Sequence, residues 1–294
     1  MKRIINTILD EIQWLAPKKI AHTIVHFRFH KKMMPWSNPR KYDEKIRWLL
    51  VNCYGKKESR YADKALVRDY IKECGLESLL VPCWGVWDSS KEIDISKLPQ
   101  KFILKTTNGS GEACYEIVED KSDMNKVKAA LEKMDKALMI NVAKISCEYH
   151  YRYIKPRIIC EELLDSGEKR ITDYKVICIG GQAKYILVCS ERDLGRDYFD
   201  REWNDMKFTK PEYRYNGIIK KPKGLNYMLE AAEILSKPFV FARVDFYDIN
   251  GKVYFGEITL TPASGYTPNL TDEAQLIIGE QIKLPQKNKR GKNE

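Results

Sequence analysis

Residues 239–265 read "FVFARVDFYDINGKVYFGEITLTPASG", and this unit decides the fold of the second half of the chain. Apolar and polar residues alternate on both sides of "DINGK", which predicts two antiparallel strands joined by a tight turn. The turn sequence favours a three-residue loop, with a type I turn at Ile249–Asn250 and a left-handed Gly251 that forms a bulge. In that register Asp248 lies opposite Lys252.

The register fixes which side chains share a face of the hairpin. It pairs Arg243 with Glu257, Asp245 with Phe255, and Phe241 with Thr259. Because strand side chains alternate between faces, one face carries the polar residues Arg243, Asp245, Glu257 and Thr259. The other face is apolar and predicts a core, formed by Val240, Ala242, Val244, Phe246, Tyr254, Ile258 and Leu260.

Two carboxylates and an arginine on one strand face are costly to bury unless their charges are paired. One interpretation is a structural salt bridge from Arg243 to a carboxylate. The other is a magnesium site, because hard cations bind carboxylate oxygens and share coordination with substrate phosphates. Arg243 would then face negative charge that develops during a reaction. The hairpin alone leaves both interpretations open.

Two lysines lie in strand-like apolar runs, Lys105 in "KFILKT" and Lys175 in "DYKVICI". A lysine in such a run usually marks a sheet edge or a solvent-facing side, and a phosphate contact is the alternative. The loop "NGSG", residues 108–111, follows closely after Lys105. It matches neither the Walker loop nor the dinucleotide-binding fingerprint, but its glycines can offer backbone N–H groups to phosphate oxygens.

The segment "RIICEELLDSGE", residues 157–168, reads as a strand that ends in carboxylates. The simplest interpretation of Glu161 and Glu162 is a pair of solvated side chains at a strand end. The alternative is a nucleotide site, in which the backbone after the strand reads an adenine edge and Glu168 accepts hydrogen bonds from ribose hydroxyls.

The order of elements indicates the fold class. Residues 1–100 favour helices, since "YDEKIRWLLVNCYG" (42–55) and "YADKALVRDYIKECG" (61–75) space apolar residues at three and four and end at glycine. From residue 101 onward strands and helices mix without regular β–α alternation. The predicted class is therefore α+β.

His22, His26 and His30 recur every fourth residue and so line one face of a predicted amphipathic helix. Surface or core positions are favoured over a metal site, because no carboxylate or cysteine lies nearby. Eight scattered cysteines without a C-x-x-C pair indicate reduced thiols and argue against a zinc site or a disulfide framework.

The formal net charge is +10, with basic residues concentrated in "KKIAHTIVHFRFHKKMM" (18–34) and in the C-terminal tail. Such segments suit an acidic glycan, a nucleotide-sugar or the anionic inner face of a membrane, and a solvated basic surface is equally compatible. We expect no nucleic-acid partner. Apolar runs fall short of the roughly 20 residues that cross a bilayer, and no secretory signal is evident. We therefore expect a cytoplasmic protein that can contact the inner membrane peripherally.

Taken in order, these features resemble the ATP-grasp superfamily: a strand lysine, a glycine loop, E-E-x-L, a second strand lysine, R-x-D and G-E-x-T. More closely, they resemble the TupA-like ATP-grasp proteins, which are related to teichuronopeptide biosynthesis in bacterial surface-polysaccharide loci. The resemblance covers about residues 36–284, and the matching stretches are "NPRKYDEKIRWL", "YADKALVRDYI", "LPQKFILKTTNGSG", "KPRIICEELL", "DYKVICIGGQAKYI" and "FARVDFYDINGKVYFGEITLTPASG".

The resemblance implies an ATP-grasp fold, in which two α+β subdomains clasp ATP, with a mostly helical N-terminal region. It divides the chain into residues 1–100 as that N-terminal region, 101–163 as the small lid subdomain, and 164–294 as the C-terminal subdomain with the metal site and a basic tail.

The resemblance also implies a role for each matching residue. Residues 108–111 would form a flexible lid, and the nucleotide would contact Lys105, Asn108, Gly109, Ser110, Gly111, Glu161, Glu162, Leu164, Glu168 and Lys175. Magnesium would be held by Asp245, Glu257 and Thr259, where the superfamily's usual E-x-N motif reads Glu257-Ile258-Thr259. Arg243 and Lys175 would be catalytic. The acceptor substrate would contact Thr261, Ser264 and Gly265.

The implied activity is that of an ATP- and Mg²⁺-dependent carboxylate–amine ligase that works through an acyl phosphate. Its substrates would be a small-molecule amine, such as an amino acid, and a uronic-acid-type unit of a surface glycan. Two alternatives stay open: a phosphotransferase that acts on a glycan hydroxyl, and a glycan-binding or glycosyl-transferring protein with a vestigial nucleotide pocket.

Overall fold

A computed structural model describes residues 14–165, 167, 171–190 and 195–286 of the chain. Glu168, predicted to contact ribose, and residues 287–294 of the predicted basic tail lie outside these described residues. Within the described part the structure combines helices with two antiparallel sheets, so the predicted α+β class is confirmed.

The helices lie mainly in the first half of the chain. Among the described residues, the α-helices are α1 (Lys18–His30), α2 (Tyr42–Asn52), α3 (Lys56–Ala62), α4 (Val67–Glu73), α5 (Met124–Leu138), α6 (Val142–Ser146), α7 (Leu225–Ser236) and α8 (Asp272–Gln281). Short side chains cap two of the longer helices at their first turn. Asp123 accepts a hydrogen bond from the Lys126 backbone N–H (3.1 Å), and Thr271 accepts one from that of Ala274 (3.1 Å).

The strands form two sheets. The small sheet has the order β1-β4-β2-β3, and its strands are β1 (Cys83–Trp87), β2 (Phe102–Thr106), β3 (Tyr115–Val118) and β4 (Ile158–Glu162). The large sheet has the order β7-β6-β5-β8-β9, and its strands are β5 (Asp173–Ile179), β6 (Gln182–Ser190), β7 (Gly195–Phe199), β8 (Phe241–Ile249) and β9 (Lys252–Thr259). β2 pairs antiparallel with β3, and β5 pairs antiparallel with β6.

Each sheet has its own core. The small sheet packs Phe102 and Leu104 against Val127 and Met134 of α5. The large sheet packs against α7, and its core also takes in buried residues of α2 and α4. Helices of the N-terminal region therefore pack onto the large sheet, while β1 belongs to the small sheet. The division of the chain at residues 100 and 163 stays a prediction.

The predicted helix over 61–75 is wrong in one respect, because the structure divides it into α3 and α4. Asp63, between the two helices, accepts hydrogen bonds from the backbone N–H groups of Ala65 (2.8 Å) and Leu66 (3.1 Å). A short acidic side chain that satisfies nearby backbone donors in this way offers the chain an alternative to continuous helix.

The histidine face predicted for α1 is a buried one. His22 and His26 are buried, and His30 is partly buried. Burial lowers the pKa of both His22 and His26 to about 3, so these rings are neutral at physiological pH. Within the described ranges no cluster of three or more His, Cys, Asp or Glu residues is arranged to hold a metal. All eight cysteines are reduced thiols.

The β8–β9 turn differs from the predicted one. Ile249 pairs with Lys252, so the loop has two residues, Asn250 and Gly251, with φ of 56° and 97°. Positive φ at both positions is the geometry of a type I′ turn, which the Asn-Gly dipeptide favours. The predicted three-residue loop is wrong, and so are the pairs that depended on it: Asp248 with Lys252, Arg243 with Glu257, Asp245 with Phe255, and Phe241 with Thr259.

A bulge at Gly256 sets the register of the far end of the hairpin. Asp245 pairs with Glu257, and the next residue, Phe246, pairs with Phe255, so Gly256 has no partner of its own. A Cβ atom on Gly256 would lie 3.1 Å from the Asp245 carbonyl oxygen. Glycine thus permits the close approach of the two strands at this point.

The bulge divides the hairpin into two parts. Near the site the register differs from the predicted one by two residues, an even number, so Arg243, Asp245, Glu257 and Thr259 share one face as predicted. Between the bulge and the turn the register differs from the predicted one by a single residue, so the side chains of β9 lie on the opposite face from the one predicted. Val253 and Phe255 are buried, whereas Tyr254, predicted to lie in the core, is only partly buried.

No helix within the described ranges is long and apolar enough to cross a membrane.

We predict that Gly251→Ala destabilises the protein by about 1–2 kcal/mol, the cost of holding an L-residue in the left-handed region. The measurement is urea unfolding, with Lys252→Ala as the control at the adjacent exposed position, where we expect a change within about 0.5 kcal/mol. Equal stability of the two variants would show that the turn does not hold Gly251 at φ of 97°.

Candidate functional site

Arg243 holds together the polar face of the β8–β9 hairpin. Its Nε and Nη2 atoms donate to the two carboxylate oxygens of Asp245, each at 2.7 Å. Nη2 also donates to Glu257 Oε1 (2.8 Å) and to Thr259 Oγ1 (3.0 Å). The Thr259 hydroxyl in turn donates to Glu257 Oε1 (2.7 Å). All four residues predicted from the alternation are therefore in direct contact.

Lys175 joins this cluster from the neighbouring strand. β5 pairs with β8 so that Lys175 lies opposite Asp245, and its Nζ donates to Asp245 Oδ2 at 2.7 Å and to Asp173 Oδ2 at 3.1 Å. Burial alone would lower the pKa of Lys175, but the charge of Asp245 outweighs it and raises the pKa above its ordinary value. Burial raises the pKa of Asp173. Lys175 thus stays charged within the cluster.

The surrounding cations hold Glu257 in its ionised form. Burial opposes its ionisation, yet the charges of Arg243, Lys64 and Lys175 lower its pKa to about 2. Its side chain is 39% exposed, while that of Asp245 is 3% exposed. Glu257 therefore offers an ionised carboxylate at the accessible edge of the cluster.

The small sheet contributes a second group of charges. Lys105 Nζ donates to Glu161 Oε2 at 2.8 Å, and Arg68 Nη1 donates to Glu161 Oε1 at 2.9 Å. Both carboxylate oxygens of Glu161 are thus engaged by cations. Glu162, on the next position of β4, is exposed, and Leu164 is partly buried beyond the strand end. Contacts of these residues with adenine stay a prediction.

The loop 108–111 lies between β2 and β3 in the chain, and its backbone geometry is restricted. A Cβ atom on Gly109 would lie 2.2 Å from Thr106 Oγ1 and 2.5 Å from Cys114 Sγ, so only glycine fits there. Gly111 takes φ of 79°, in the left-handed region. Asn108 is buried, and its Oδ1 has no hydrogen-bond partner among the described residues, while Ser110 is exposed.

Lys64 contacts the loop and lies near charges of both sheets. Its Nζ donates to the Gly109 carbonyl oxygen. Burial lowers its pKa, and the nearby charge of Lys105 lowers it further, whereas Glu257 and Glu161 raise it. Because Glu257 belongs to the large sheet and Glu161 to the small one, a single lysine experiences the carboxylates of both.

The segment after β9 turns back sharply beside this site. Ala263, Ser264 and Gly265 all take positive φ, at 47°, 53° and 73°. Two non-glycine residues in the left-handed region are a strained arrangement, of the kind found at functional sites. Thr261 is buried, and its hydroxyl donates to Glu148 Oε1. The predicted acceptor residues thus lie on one tight loop.

The residues present fit a magnesium ion that is shared with nucleotide phosphates better than one held in a protein cage. Asp245, Glu257 and Thr259 supply hard oxygen donors, as Mg²⁺ prefers. Both Asp245 oxygens accept from cations, and Glu257 Oε1 accepts from Arg243 and Thr259. Glu257 Oε2 has no hydrogen bond to the described residues. The metal roles of the three residues stay predictions.

Sequence reasoning missed Lys64, Arg68 and Glu148, which reach this site from distant parts of the sequence. Lys64 and Arg68 lie in the predicted helix 61–75, where charged residues resemble a solvated face. Glu148 lies in a short segment without a clear pattern. No local signal distinguishes them, since each reaches its partner across 45 or more positions of sequence.

Comparison with known proteins identifies a family. A family model described as "TupA-like ATPgrasp" matches residues 44–283, well over half of the chain. No curated protein sequence matches at a significant level.

Several solved structures are similar at the level of the fold. The D-alanine–D-alanine ligase of Bacillus anthracis is 16% identical, with a TM-score of 0.49, over 82% of this chain and 71% of its own. The Helicobacter pylori D-alanine–D-alanine ligase is 18% identical (TM-score 0.42; 76% of this chain and 61% of its own). N5-carboxyaminoimidazole synthetase of Staphylococcus aureus, complexed with ADP, is 15% identical (TM-score 0.43; 78% and 54%). The match covers less than two thirds of the length of the latter two proteins. The family assignment rests on the family model alone.

We predict that Glu257 stabilises the folded protein at neutral pH and loses this effect in acid. Its folded pKa of about 2 lies below the ordinary value of 4.5, so its contribution is fully present above pH of about 4.5 and disappears as the pH falls toward about 2. In denaturant unfolding, the difference in stability between wild type and Glu257→Gln should be constant from pH 8 to pH 5 and shrink below. Glu162→Gln, at an exposed position, is the control, and a difference independent of pH down to 2.5 would contradict the assignment.

Proposed function

The chain belongs to the TupA-like ATP-grasp family, within the ATP-grasp ligase superfamily, and we propose that it is an ATP- and Mg²⁺-dependent carboxylate–amine ligase. One substrate is the carboxylate of a uronic-acid-type unit of a bacterial capsule or other surface polysaccharide. The other is an amino acid or another small amine. The products are an amide, ADP and phosphate.

The observation that carries the proposal is the convergence of cations and carboxylates from both sheets. Arg243, Lys175, Asp245 and Glu257 form one connected cluster, and Lys64 experiences its charge together with that of the small sheet. A decayed pocket has no need to keep so many buried charges, which cost free energy unless they are used or paired. This completeness supports an active site over a vestigial one.

The first step transfers a phosphoryl group. An oxygen of the substrate carboxylate attacks the γ-phosphorus of ATP, a new P–O bond forms, and the bond to the ADP oxygen breaks. Charge spreads over the transferring group. We assign Lys105, Lys175 and Arg243 to offset this charge, and the ion pair of each with a carboxylate of the site supports the assignment. Magnesium, when bound at Asp245 and Glu257, would supply further charge stabilisation.

The second step forms the amide. A neutral amine attacks the carbonyl carbon of the acyl phosphate, a C–N bond forms, and the C–O bond to phosphate breaks. The amine gives up its proton to a base. Because water competes for the acyl phosphate, the site has to exclude it. The loop 108–111, which Lys64 holds through the Gly109 carbonyl, is suited to cover the nucleotide.

Two observations support an acidic glycan at the inner face of the membrane. The net charge of +10 favours a polyanionic substrate. Exposed apolar side chains lie near lysines in the α1 segment: Ile20 and Phe27 on the helix and Met33 just after it. Such a surface suits peripheral contact with an anionic membrane. The reaction would then take place in the cytoplasm, beside the site of polysaccharide assembly.

We predict that the purified protein forms a hydroxamate when it is given Mg·ATP, glucuronate and hydroxylamine, because hydroxylamine traps an acyl phosphate. ADP and hydroxamate should appear in equal amounts, and glucose in place of glucuronate should yield none. The measurement combines a coupled ADP assay with colorimetric detection of the hydroxamate. A phosphate ester as the sole product would establish a phosphotransferase instead.

Matched variants test whether ATP turnover depends on the charged residues of the site. Lys105→Ala and Glu257→Ala should each reduce ADP release by about 10²-fold or more, the scale of losing one preorganised charge at a phosphoryl centre. Lys101→Ala, at an exposed position just before the same strand, is the control and should retain the wild-type rate. A normal rate in either site variant would place the chemistry elsewhere.

A further inference from the structure

A cavity of about 280 Å³ lies beside β7, the last strand in the order of the large sheet. The segment 203–219, which follows β7 in the chain, forms much of its wall. The volume is slightly below the roughly 300–1,000 Å³ of pockets for drug-sized ligands, so it suits a single small ring. The side chains that define this edge cavity are those of Asp197, Phe199, Trp203, Asp205, Arg214 and Tyr215.

The edge cavity and the charged cluster lie on opposite faces of the large sheet. Tyr198 pairs with Leu187, and Leu187 pairs with Lys175, so these three side chains point to the face of the cluster. Because side chains alternate along a strand, Asp197 and Phe199 point to the other face. β7 is also separated from β5 by two strand spacings, about 10 Å. The edge cavity is therefore separate from the proposed ligase site.

Asp197 brings a buried carboxylate to the edge cavity. Its side chain is 4% exposed, and its Oδ2 accepts a hydrogen bond from the Tyr215 backbone N–H (3.0 Å). Its Oδ1 is buried without a hydrogen-bond partner among the described residues, and it lies 3.3 Å from Arg214 Nη2. A buried charged oxygen with an unused acceptor site costs free energy, and a ligand hydroxyl that donates to it would remove that cost.

Arg214 places hydrogen-bond donors next to this acceptor. Its Nη2 donates to Asp205 Oδ2, and its Nη1 lies 3.5 Å from Asp205 Oδ1. A guanidinium has five N–H donors, more than its contacts with the two carboxylates use. Lys207 Nζ also donates to Asp205 (2.6 Å). The two carboxylates therefore have two cations beside them, and the described charges of the edge cavity balance.

Aromatic rings form another part of the wall. Trp203 stacks on Phe199, with ring centroids 4.3 Å apart and an interplanar angle of 10°. Trp203 has φ of 75°, which is unusual for a bulky residue. Asp200 stabilises this turn by accepting hydrogen bonds from the backbone N–H groups of Glu202 (3.0 Å) and Asn204 (2.7 Å). Backbone strain of this kind is concentrated at functional sites.

This set of groups favours a neutral ring that carries hydroxyls. A hydroxyl both donates and accepts hydrogen bonds, so neighbouring hydroxyls can donate to Asp197 and accept from Arg214. An ammonium group is repelled by Arg214, and an anion cannot donate to Asp197. A sugar ring also has an apolar C–H face, which packs against aromatic side chains. A neutral sugar therefore uses every part of the wall.

We propose that the edge cavity is a binding site for one neutral sugar ring, held by hydroxyls between Asp197 and Arg214 and by the aromatic wall of Trp203 and Tyr215. The inference goes beyond the proposed function, because sugar binding here needs neither ATP nor any residue of the charged cluster. Under the proposed function, the edge cavity would hold a neutral unit of the same glycan whose uronic-acid unit reacts on the opposite face of the sheet.

Fluorine NMR tests the inference on the full chain labelled with 5-fluorotryptophan. Trp203→Phe and Trp84→Phe assign the signals of two of the six tryptophans. The probes are the methyl glycosides of glucose, galactose, mannose and N-acetylglucosamine, titrated to tens of millimolar. We expect at least one of them to shift the Trp203 signal in a saturable way. The signal of Trp84, which is exposed on β1 of the small sheet, should not move.

Three further compounds test the chemical class of the ligand. Cyclohexanol has the ring with a single hydroxyl, methylammonium has a positive charge, and inorganic phosphate has a negative charge. Each should act on the Trp203 signal at least tenfold more weakly than the best glycoside. A shift by cyclohexanol at the same concentrations as the glycoside would show a cavity without selectivity for sugars and would overturn the inference.

A matched pair of variants tests the carboxylate. Asp197→Asn keeps the shape of the side chain and removes its charge, and it should weaken glycoside binding about tenfold. Asp69→Asn, at an exposed position of α4, is the control and should bind like the wild type. Thermal unfolding establishes that each variant is folded.

The wild-type titration decides the matter even if Asp197→Asn does not fold. Absence of a saturable Trp203 shift with all four glycosides, or unchanged binding in folded Asp197→Asn, would overturn the inference. Hydroxamate formation from glucuronate is measured separately. Its absence in a protein that binds sugar at Trp203 would contradict the proposed function alone, so the two failures are distinguishable.

Discussion

Asp245 and Glu257 face each other across β8 and β9, and the need to balance their negative charge organises the surrounding structure. Two neighbouring carboxylates, one of them buried, cost free energy unless cations lie beside them. Arg243 contacts both of them, and Lys175 contacts Asp245 from β5. Two features of the fold make these contacts possible. The sheet order places β5 beside β8, and the bulge at Gly256 brings Asp245 opposite Glu257.

Both sheets contribute charged side chains to the site. Each sheet carries a carboxylate that is held by lysine or arginine, and Lys64 lies within the field of both. Under the proposed function, nucleotide phosphates would take over these cations while magnesium takes over the carboxylates. The charges that stabilise the cluster would then also bind the substrate, so the same side chains would serve both stability and activity.

Much of this could be predicted from the sequence, because period-two alternation places every second side chain on one face. That rule correctly predicted that Arg243, Asp245, Glu257 and Thr259 lie on one face of the hairpin. The residue-by-residue pairing of β8 with β9 could not be predicted, because the alternating pattern does not reveal the bulge at Gly256. The two-residue turn could have been found from Asn250-Gly251, a pair that favours positive φ at both positions.

The long-range partners could not be predicted in the same way. Lys64 and Arg68 look like solvated residues of a helix, and they reach their partners only after the helices pack against the sheets. Sequence order identifies the family, whereas tertiary packing alone brings such distant charges together.

The central claim is that the cluster forms an acyl phosphate reversibly, and positional isotope exchange tests it. ATP carrying ¹⁸O in the β,γ-bridge is incubated with the protein, Mg²⁺ and glucuronate, without an amine, and ³¹P NMR follows the label. We predict that the label moves from the bridge to the non-bridging β-position, and that this exchange requires the carboxylate. Absence of exchange in a preparation that consumes ATP with glucuronate and hydroxylamine, or equal exchange with glucose, would contradict it.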